Sequence, residues 1–201
     1  RREAHIDLNK LARVARARLI AGEVTHIDSD AQLLHLKDGR PPLPYDVCSI
    51  NVGIAPSKPA RFVTPVKPIA IFSVKWDALL SRLDDDSSFR LVVVGGGAGG
   101  VELILAMVAR VSSELRRRGR SLTCLSATLV ARSSELLKGH APKVRHLLTE
   151  AVRRKGIRVL LSHEAIETSS VKGEKILKCR HEGRTVSVPF DECAWCTQAA
   201  A

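Results

Sequence analysis

The sequence predicts an α/β fold organised around a parallel sheet. Three observations carry that prediction. Phe89-Arg90-Leu91-Val92-Val93-Val94 is a buried β-branched run, a glycine cluster follows it directly, and strand and helix patterns alternate from there onward.

The elements follow in chain order. Leu8–Val14 reads as a short amphipathic helix, with apolar residues at Leu8, Leu11, Val14 and Ala15. Leu19–His26, Gln32–Leu36 and Cys48–Val52 are strand-like, separated by turn signals at Asp28-Ser29-Asp30, Asp38-Gly39-Arg40 and Pro41-Pro42. A proline-rich stretch (Pro56, Pro59, Pro65, Pro68) leads into a helix expected around Val74–Leu83, and Asp84-Asp85-Asp86-Ser87-Ser88 reads as a solvated linker. Beyond the strand at Phe89–Val94, a helix is expected over Gly99–Arg118 and a strand at Thr128–Val130. A second helix over Pro142–Lys155 is stopped by Gly156. Further strands are expected at Val159–Leu161, Lys175–Arg180, Thr185–Val188 and Cys193–Thr197. Tyr45-Asp46-Val47-Cys48 and Phe190-Asp191-Glu192-Cys193 share an aromatic-Asp-x-Cys register, which suggests two similar nucleotide-binding lobes ending in the same strand.

Composition bounds the function. With 201 residues, 45% hydrophobic and 26% charged, the chain has room for a sizeable core and the balance of a soluble globular protein. No apolar run approaches the ~18 residues of a membrane span, and no signal peptide opens the chain. It begins with Arg1 rather than Met, so we expect it to start inside something longer. The net charge of +11 invites nucleic acid as a partner, but the distribution argues against it. The clusters Arg116-Arg117-Arg118-Gly119-Arg120 and Arg153-Arg154-Lys155-Gly156 end helical patterns, where cations complement the carbonyl end of the dipole. Aromatic residues make up only 3% of the chain, too few for a base-stacking platform. Five cysteines at irregular spacing give neither a disulfide framework nor a zinc site, and point to a reducing, intracellular compartment, cytoplasmic or organellar. The seven histidines have no ligand or triad spacing.

The chemistry-bearing motif is Gly95-Gly96-Gly97-Ala98-Gly99-Gly100, which satisfies G-x-G-x-x-G with Gly95, Gly97 and Gly100. It lies between a strand and a helix, the context that gives such a match meaning. Gly95 permits the tight turn, Gly97 lets backbone approach a pyrophosphate, and Gly100 lets the helix lie close to the strand. The helix N-terminus then offers free N–H groups and a positive dipole end to the phosphates. No Lys-Ser/Thr follows, which disfavours a P-loop. A glycine-rich turn without a ligand is the bland alternative. An NAD site would end its second strand in an acid, whereas Thr128-Leu129-Val130 leads into Ala131-Arg132-Ser133-Ser134. The Arg132 guanidinium with neighbouring hydroxyls suits a ribose 2′-phosphate, hence NADPH over NADH; its alternative is a solvated loop arginine. Cys193 and Cys196 have CxxC spacing, but on a strand they point to opposite faces, which favours packing over a redox pair.

With these residues, the chain resembles the pyridine nucleotide–disulfide oxidoreductases, flavoproteins with two dinucleotide-binding domains, and within them the type II NADH dehydrogenase-like branch. LVVVGGGAGGVELILAM is similar to the family's NAD(P)H fingerprint, including Glu102, and ARLIAGEVTHIDSDAQLLHLKDGRPPLPYDVCSINVGIAP to the latter part of its FAD domain. The resemblance implies that Val24 contacts the FAD adenine through its backbone, and that Gly53 belongs to a strand-end A-T-G motif. Glu102 would sit near nicotinamide and flavin. Pro65-Val66-Lys67-Pro68-Ile69 and AWCTQAAA are similar to the flavoprotein module fused to selenide, water dikinase. The chain departs from the family pattern in several places. No FAD fingerprint precedes Gly95, Asn51 stands for Thr, Gln198 stands for Gly, and Cys193 and Cys196 match neither of the family's redox cysteine positions.

The architecture implied is a Rossmann-like NAD(P)-binding domain at 89–201, preceded by the latter part of an FAD-binding Rossmann-like domain at 1–70 and a linker at 71–88. The activity implied is hydride transfer from NAD(P)H to FAD and on to a quinone-like or other acceptor, with no catalytic side chain or metal assigned. A homodimer or a fusion partner would complete the full-length protein. The alternative is a nucleotide-binding regulatory module without turnover, attached to a selenophosphate-forming enzyme.

Overall fold

A computed structural model describes residues 6–51, 55–56, 61–67, 69–81, 83, 88–197 and 199–200. The chain divides into two compact units, Arg1–Asn51 and Val52–Ala201.

The first unit holds α1 (Leu8–Val14), β1 (Val24–Asp28), β2 (Leu33–Leu36) and β3 (Leu43–Pro44). Asp7 caps α1, its Oδ1 accepting from the amides of Asn9 and Lys10 at 3.0 and 3.3 Å. No residue of α1 is buried. The strands form an antiparallel sheet in the order β1-β2-β3. The β1–β2 turn is fixed by Asp28, whose Oδ1 accepts from Ala31 N at 2.8 Å and Asp30 N at 3.1 Å. Those amides hold its carboxyl below the usual range.

Two sequence expectations change here. The strand expected from Leu19 begins only at Val24, because the Ala21 carbonyl is taken by the Arg40 guanidinium at 2.6 Å instead of a ladder partner. Of the strand expected at Cys48–Val52, Val52 lies outside the described residues and Cys48–Asn51 is not a strand: no described neighbour offers it a ladder, and Val47 before it and Ile50 within it are exposed. The aromatic-Asp-x-Cys segments therefore differ locally, since only Phe190–Cys193 leads into a strand.

The second unit is a Rossmann-like parallel α/β assembly. β4 (Ala55–Pro56), β5 (Thr64–Pro65) and α2 (Ile69–Ser81) precede β6 (Phe89–Val94) and α3 (Ala98–Arg117). After a 3₁₀ turn at Leu122–Cys124 come β7 (Leu125–Val130), α4 (Pro142–Arg154) and β8 (Arg158–Leu160). Then follow β9 (Glu164–Val171), β10 (Glu174–His181), β11 (Arg184–Phe190), β12 (Glu192–Trp195) and β13 (Ala199–Ala200). The parallel sheet has the order β5-β12-β6-β7-β8, and β4 pairs with β13.

Alternation along the strands builds two cores. Leu91 and Val93 of β6, with Ala127 and Leu129 of β7, face α2, α3 and α4 through Leu80, Ile104, Val111 and Val152. Val92, Val94 and Val130 face the other way, onto Leu177, Cys179, Val188 and Phe190. That second layer corrects the expectation for Lys175–Arg180 and Thr185–Val188. They are central to β10 and β11, which form an antiparallel meander with β9 rather than joining the parallel sheet. Lys172-Gly173 and Glu182-Gly183, all at positive φ, make the two-residue turns that such a meander needs.

Polar contacts fasten the layers. Arg90 donates to both Asp191 oxygens and to Glu174 Oε1, tying β6 to the meander. Burial pushes the Asp191 carboxyl up, but the Arg90 bonds prevail and hold it low. On the helical face, Glu114 is only 8% exposed and receives Arg117 and Arg118. Arg118 also reaches the Leu80 carbonyl in the last turn of α2 and the Leu83 carbonyl just beyond it, at 2.8 and 2.5 Å.

Candidate nucleotide site

The site forms where parallel strands end and α3 begins, the edge at which such sheets bind ligands. Gly95 has φ +136°, a conformation an L side chain rarely adopts, and a Cβ there would press on Cys196 at 3.2 Å. A Cβ on Gly100 would collide with the Gly95 carbonyl oxygen, so this glycine sets the approach of helix to turn. Gly97 is the N-cap of α3 with no side-chain cap, and a Cβ on it would meet nothing within 4 Å. The first N–H groups of α3 have no intrahelical carbonyl to bond.

The sequence motif treats Gly96 as a free position, but the fold constrains it. A Cβ there would stand 2.6 Å from the Ala131 Cβ, and Leu137 N donates to the Gly96 carbonyl at 2.8 Å. The segment after β7 is thus folded down onto the glycine turn. Leu137, fully buried at positive φ, and Leu136 anchor it. Gly95 N donates to Val130 O, and Cys196 N to Val94 O, both at 2.8 Å, which fixes the rims of β6, β7 and β12.

Above this floor opens a cleft of about 830 Å³, lined by Gly95–Gly97, Arg132, Ser133, Lys138, His163, Arg61, residues 164–168 and Trp195. Arg61, Arg132 and Lys138 are its cations, and none is in an ion pair among the described residues. Its acids are already engaged: Glu167 with Lys178 at 2.6 Å and Glu164 with Arg180 at 3.5 Å. The cleft therefore favours an anion. The Arg132 loop is held by Ser162 N on the Ser133 carbonyl and His163 N on the Ala131 carbonyl, both 2.9 Å. His163 stacks on His181 with centroids 4.1 Å apart.

Of the residues named from sequence, Gly95, Gly97 and Arg132 line this cleft, and Gly100 supports it from within the fold. Glu102 is exposed on α3 and does not contribute to the lining. Val24 belongs to the first unit, 48% exposed at the start of β1. Gly53 lies outside the described residues. Sequence reasoning missed Lys138, whose signal was a cation before Gly139 in the loop following β7. It also missed Arg61 and the β9 residues, which reach the cleft from distant parts of the chain.

Cys193 and Cys196 are both free and point to opposite faces, one into the meander core and the other against the helical core. Burial pushes the Cys196 thiol up to about 12 and the Cys193 thiol higher still. Neither is a thiolate at neutral pH. No cluster of three metal-ligating side chains occurs among the described residues. Nor is any described helix long and apolar enough to cross a membrane.

Known proteins resemble this chain in sequence or in fold. The chain is 28% identical over 157 residues to ferroptosis suppressor protein 1 of Taeniopygia guttata, a match covering 78% of this chain and 38% of that protein. A ferredoxin reductase from Rhodopseudomonas palustris superposes with a TM-score of 0.69 at 16% identity, covering 94% of this chain and 43% of that one. A water-forming NADH oxidase from Lactobacillus brevis, solved with NADH bound, gives a TM-score of 0.63 at 16% identity, covering 88% and 37%. The chain thus spans about two-fifths of the length of these relatives. The pyridine nucleotide-disulphide oxidoreductase family model matches residues 3–197, nearly the whole sequence, and the chain belongs to that family.

Proposed function

We propose that this chain is the nicotinamide-nucleotide-holding part of an FAD-dependent NAD(P)H oxidoreductase. The family uses FAD and NAD(P)H. The observation that carries the reading is the open face of Gly97 under a cationic cleft of dinucleotide size. Gly95 and Gly100 shape the turn, Gly97 and the α3 amides receive the pyrophosphate, and Arg132 with Lys138 holds the adenosine ribose. A 2′-phosphate there would meet two cations and the Ser133 hydroxyl, so NADPH is preferred over NADH. Glu102 acts near the nicotinamide–flavin contact only if the nucleotide extends over the first turns of α3. Residues 89–201 form the NAD(P)H domain in this reading, with β5 and α2 packed onto it.

For FAD the described residues fit only in part. The first unit offers the half-exposed Val24 at the start of β1 to an adenine, but among its described residues there is no glycine turn opening a helix to take the pyrophosphate. When bound, FAD supplies the hydride acceptor and the relay to a quinone-like or other electron acceptor. The resemblance of the fingerprint supports the type II NADH dehydrogenase-like branch. The Pro65–Ile69 segment supports a selenide, water dikinase fusion, and an intracellular setting suits either.

One observation favours a second reading, a regulatory module that binds nucleotide without turnover: Cys48–Asn51, the expected strand-end segment of the FAD domain, forms no strand. Visible flavin absorbance in the full-length protein separates the two. Bleaching by NADPH supports the oxidoreductase, and nucleotide binding without bleaching supports the sensor.

A further inference from the structure

The second unit carries another basic concavity at the opposite end of its parallel sheet. Leu125 opens β7 and Gly156 precedes β8, so this groove lies at the strand starts, whereas the glycine turn lies at the strand ends. Its volume is about 350 Å³. The rim is Arg116, Arg154 and Lys155, with Ser112 between the helices, and the floor includes Val108, Leu122 and Leu125.

The ordinary explanation for cations at helix ends is that they serve the last carbonyls. Here backbone amides already bond three of the last carbonyls of each helix. Arg118 N, Gly119 N and Arg120 N bond the carbonyls of Glu114, Arg116 and Leu115; Lys155 N, Gly156 N and Ile157 N bond those of Ala151, Arg153 and Val152. The nearby acids are engaged as well. Glu114 receives Arg117 and Arg118, and Glu150 pairs with Arg153 at 3.0 Å while feeling Arg154 more weakly. Arg116, Arg154 and Lys155 are in no ion pair among the described residues. Three cations lining one groove with no acid paired to them favour an anion there.

We propose that this groove binds a small phosphorylated organic anion of about mononucleotide size. The three cations take the phosphate, Ser112 contributes a hydroxyl, and the apolar floor takes the organic body. The volume falls at the lower end of the ~300–1,000 Å³ common for ligand pockets, too small for a dinucleotide. The site is independent of the glycine-turn cleft.

Amide NMR of the whole 201-residue chain tests the assignment, with AMP and inorganic phosphate as probes. AMP is expected to shift Ser112, Leu122, Leu125 and Gly156 and to bind more tightly than phosphate. Replacing Arg116, Arg154 and Lys155 together by Gln removes those shifts, and Arg154→Gln alone weakens binding about tenfold. Arg132→Gln leaves them intact. Absence of shifts at these amides, AMP shifts confined to Gly95–Gly97, or undiminished affinity in Arg154→Gln would overturn the site. AMP binding no tighter than phosphate would overturn the organic part of the ligand.

Discussion

The glycine turn has two faces, and they differ in what demands a glycine. On the closed face Gly95, Gly96 and Gly100 are dictated by the protein itself: by a positive φ, by Ala131, and by the Gly95 carbonyl. On the open face a Cβ on Gly97 would meet nothing within 4 Å, so the fold alone would accept a side chain there. What the fold does not need, a ligand can use. A run of glycines that reads as one motif thus separates into a structural part and a part reserved for a partner.

Substitutions on the two faces should therefore have opposite effects. Gly100→Ala forces α3 away from the turn against rigid backbone, and should destabilise the second unit by ~3 kcal/mol or more in a denaturant melt. A melt within ~0.5 kcal/mol of the parent would mean the closed face is not closed. Gly97→Ser should do the reverse. A serine at this N-cap has room and can cap α3, so stability should rise by a few tenths of a kcal/mol. NADPH affinity should fall at least about tenfold, because the hydroxymethyl group stands where the pyrophosphate would approach. Unchanged affinity would remove Gly97 from the site.

A smaller effect comes from the far end of α3. Arg117 and Arg118 hold the Glu114 carboxyl down at about 2, against an ordinary value near 4.5. A depressed acid contributes stability above its unfolded pKa and loses it as pH falls through the folded one. The parent should therefore lose stability between about pH 4.5 and pH 2 through this group, and Glu114→Gln should lose less over that interval. Parallel melts of the two proteins across that range check it; identical pH slopes would contradict the clamp.

Legibility from sequence followed the same division. β6, α3 and α4 could be read closely because burial, periodicity and Gly119 or Gly156 as stops all agree there. The meander was misassigned because Lys175–Arg180 and Thr185–Val188 alternate like any half-buried strand, and alternation does not say whether the partner runs parallel or antiparallel. Glu164–Val171 went unread since its polar residues hide the pattern. At the site, the glycines and Arg132 announced themselves through local spacing. Arg61 and residues 164–168 did not, since only the tertiary fold gathers them at the cleft.

Calorimetric titration of NADPH and NADH into the unaltered chain decides whether the cleft is a nucleotide site. Saturable binding at one cleft is expected, with NADPH the tighter by about tenfold and the difference abolished in Arg132→Gln. NADH binding as tightly as NADPH would remove the role given to Arg132. No saturable binding of either nucleotide would mean that the glycine turn and its cleft hold no dinucleotide.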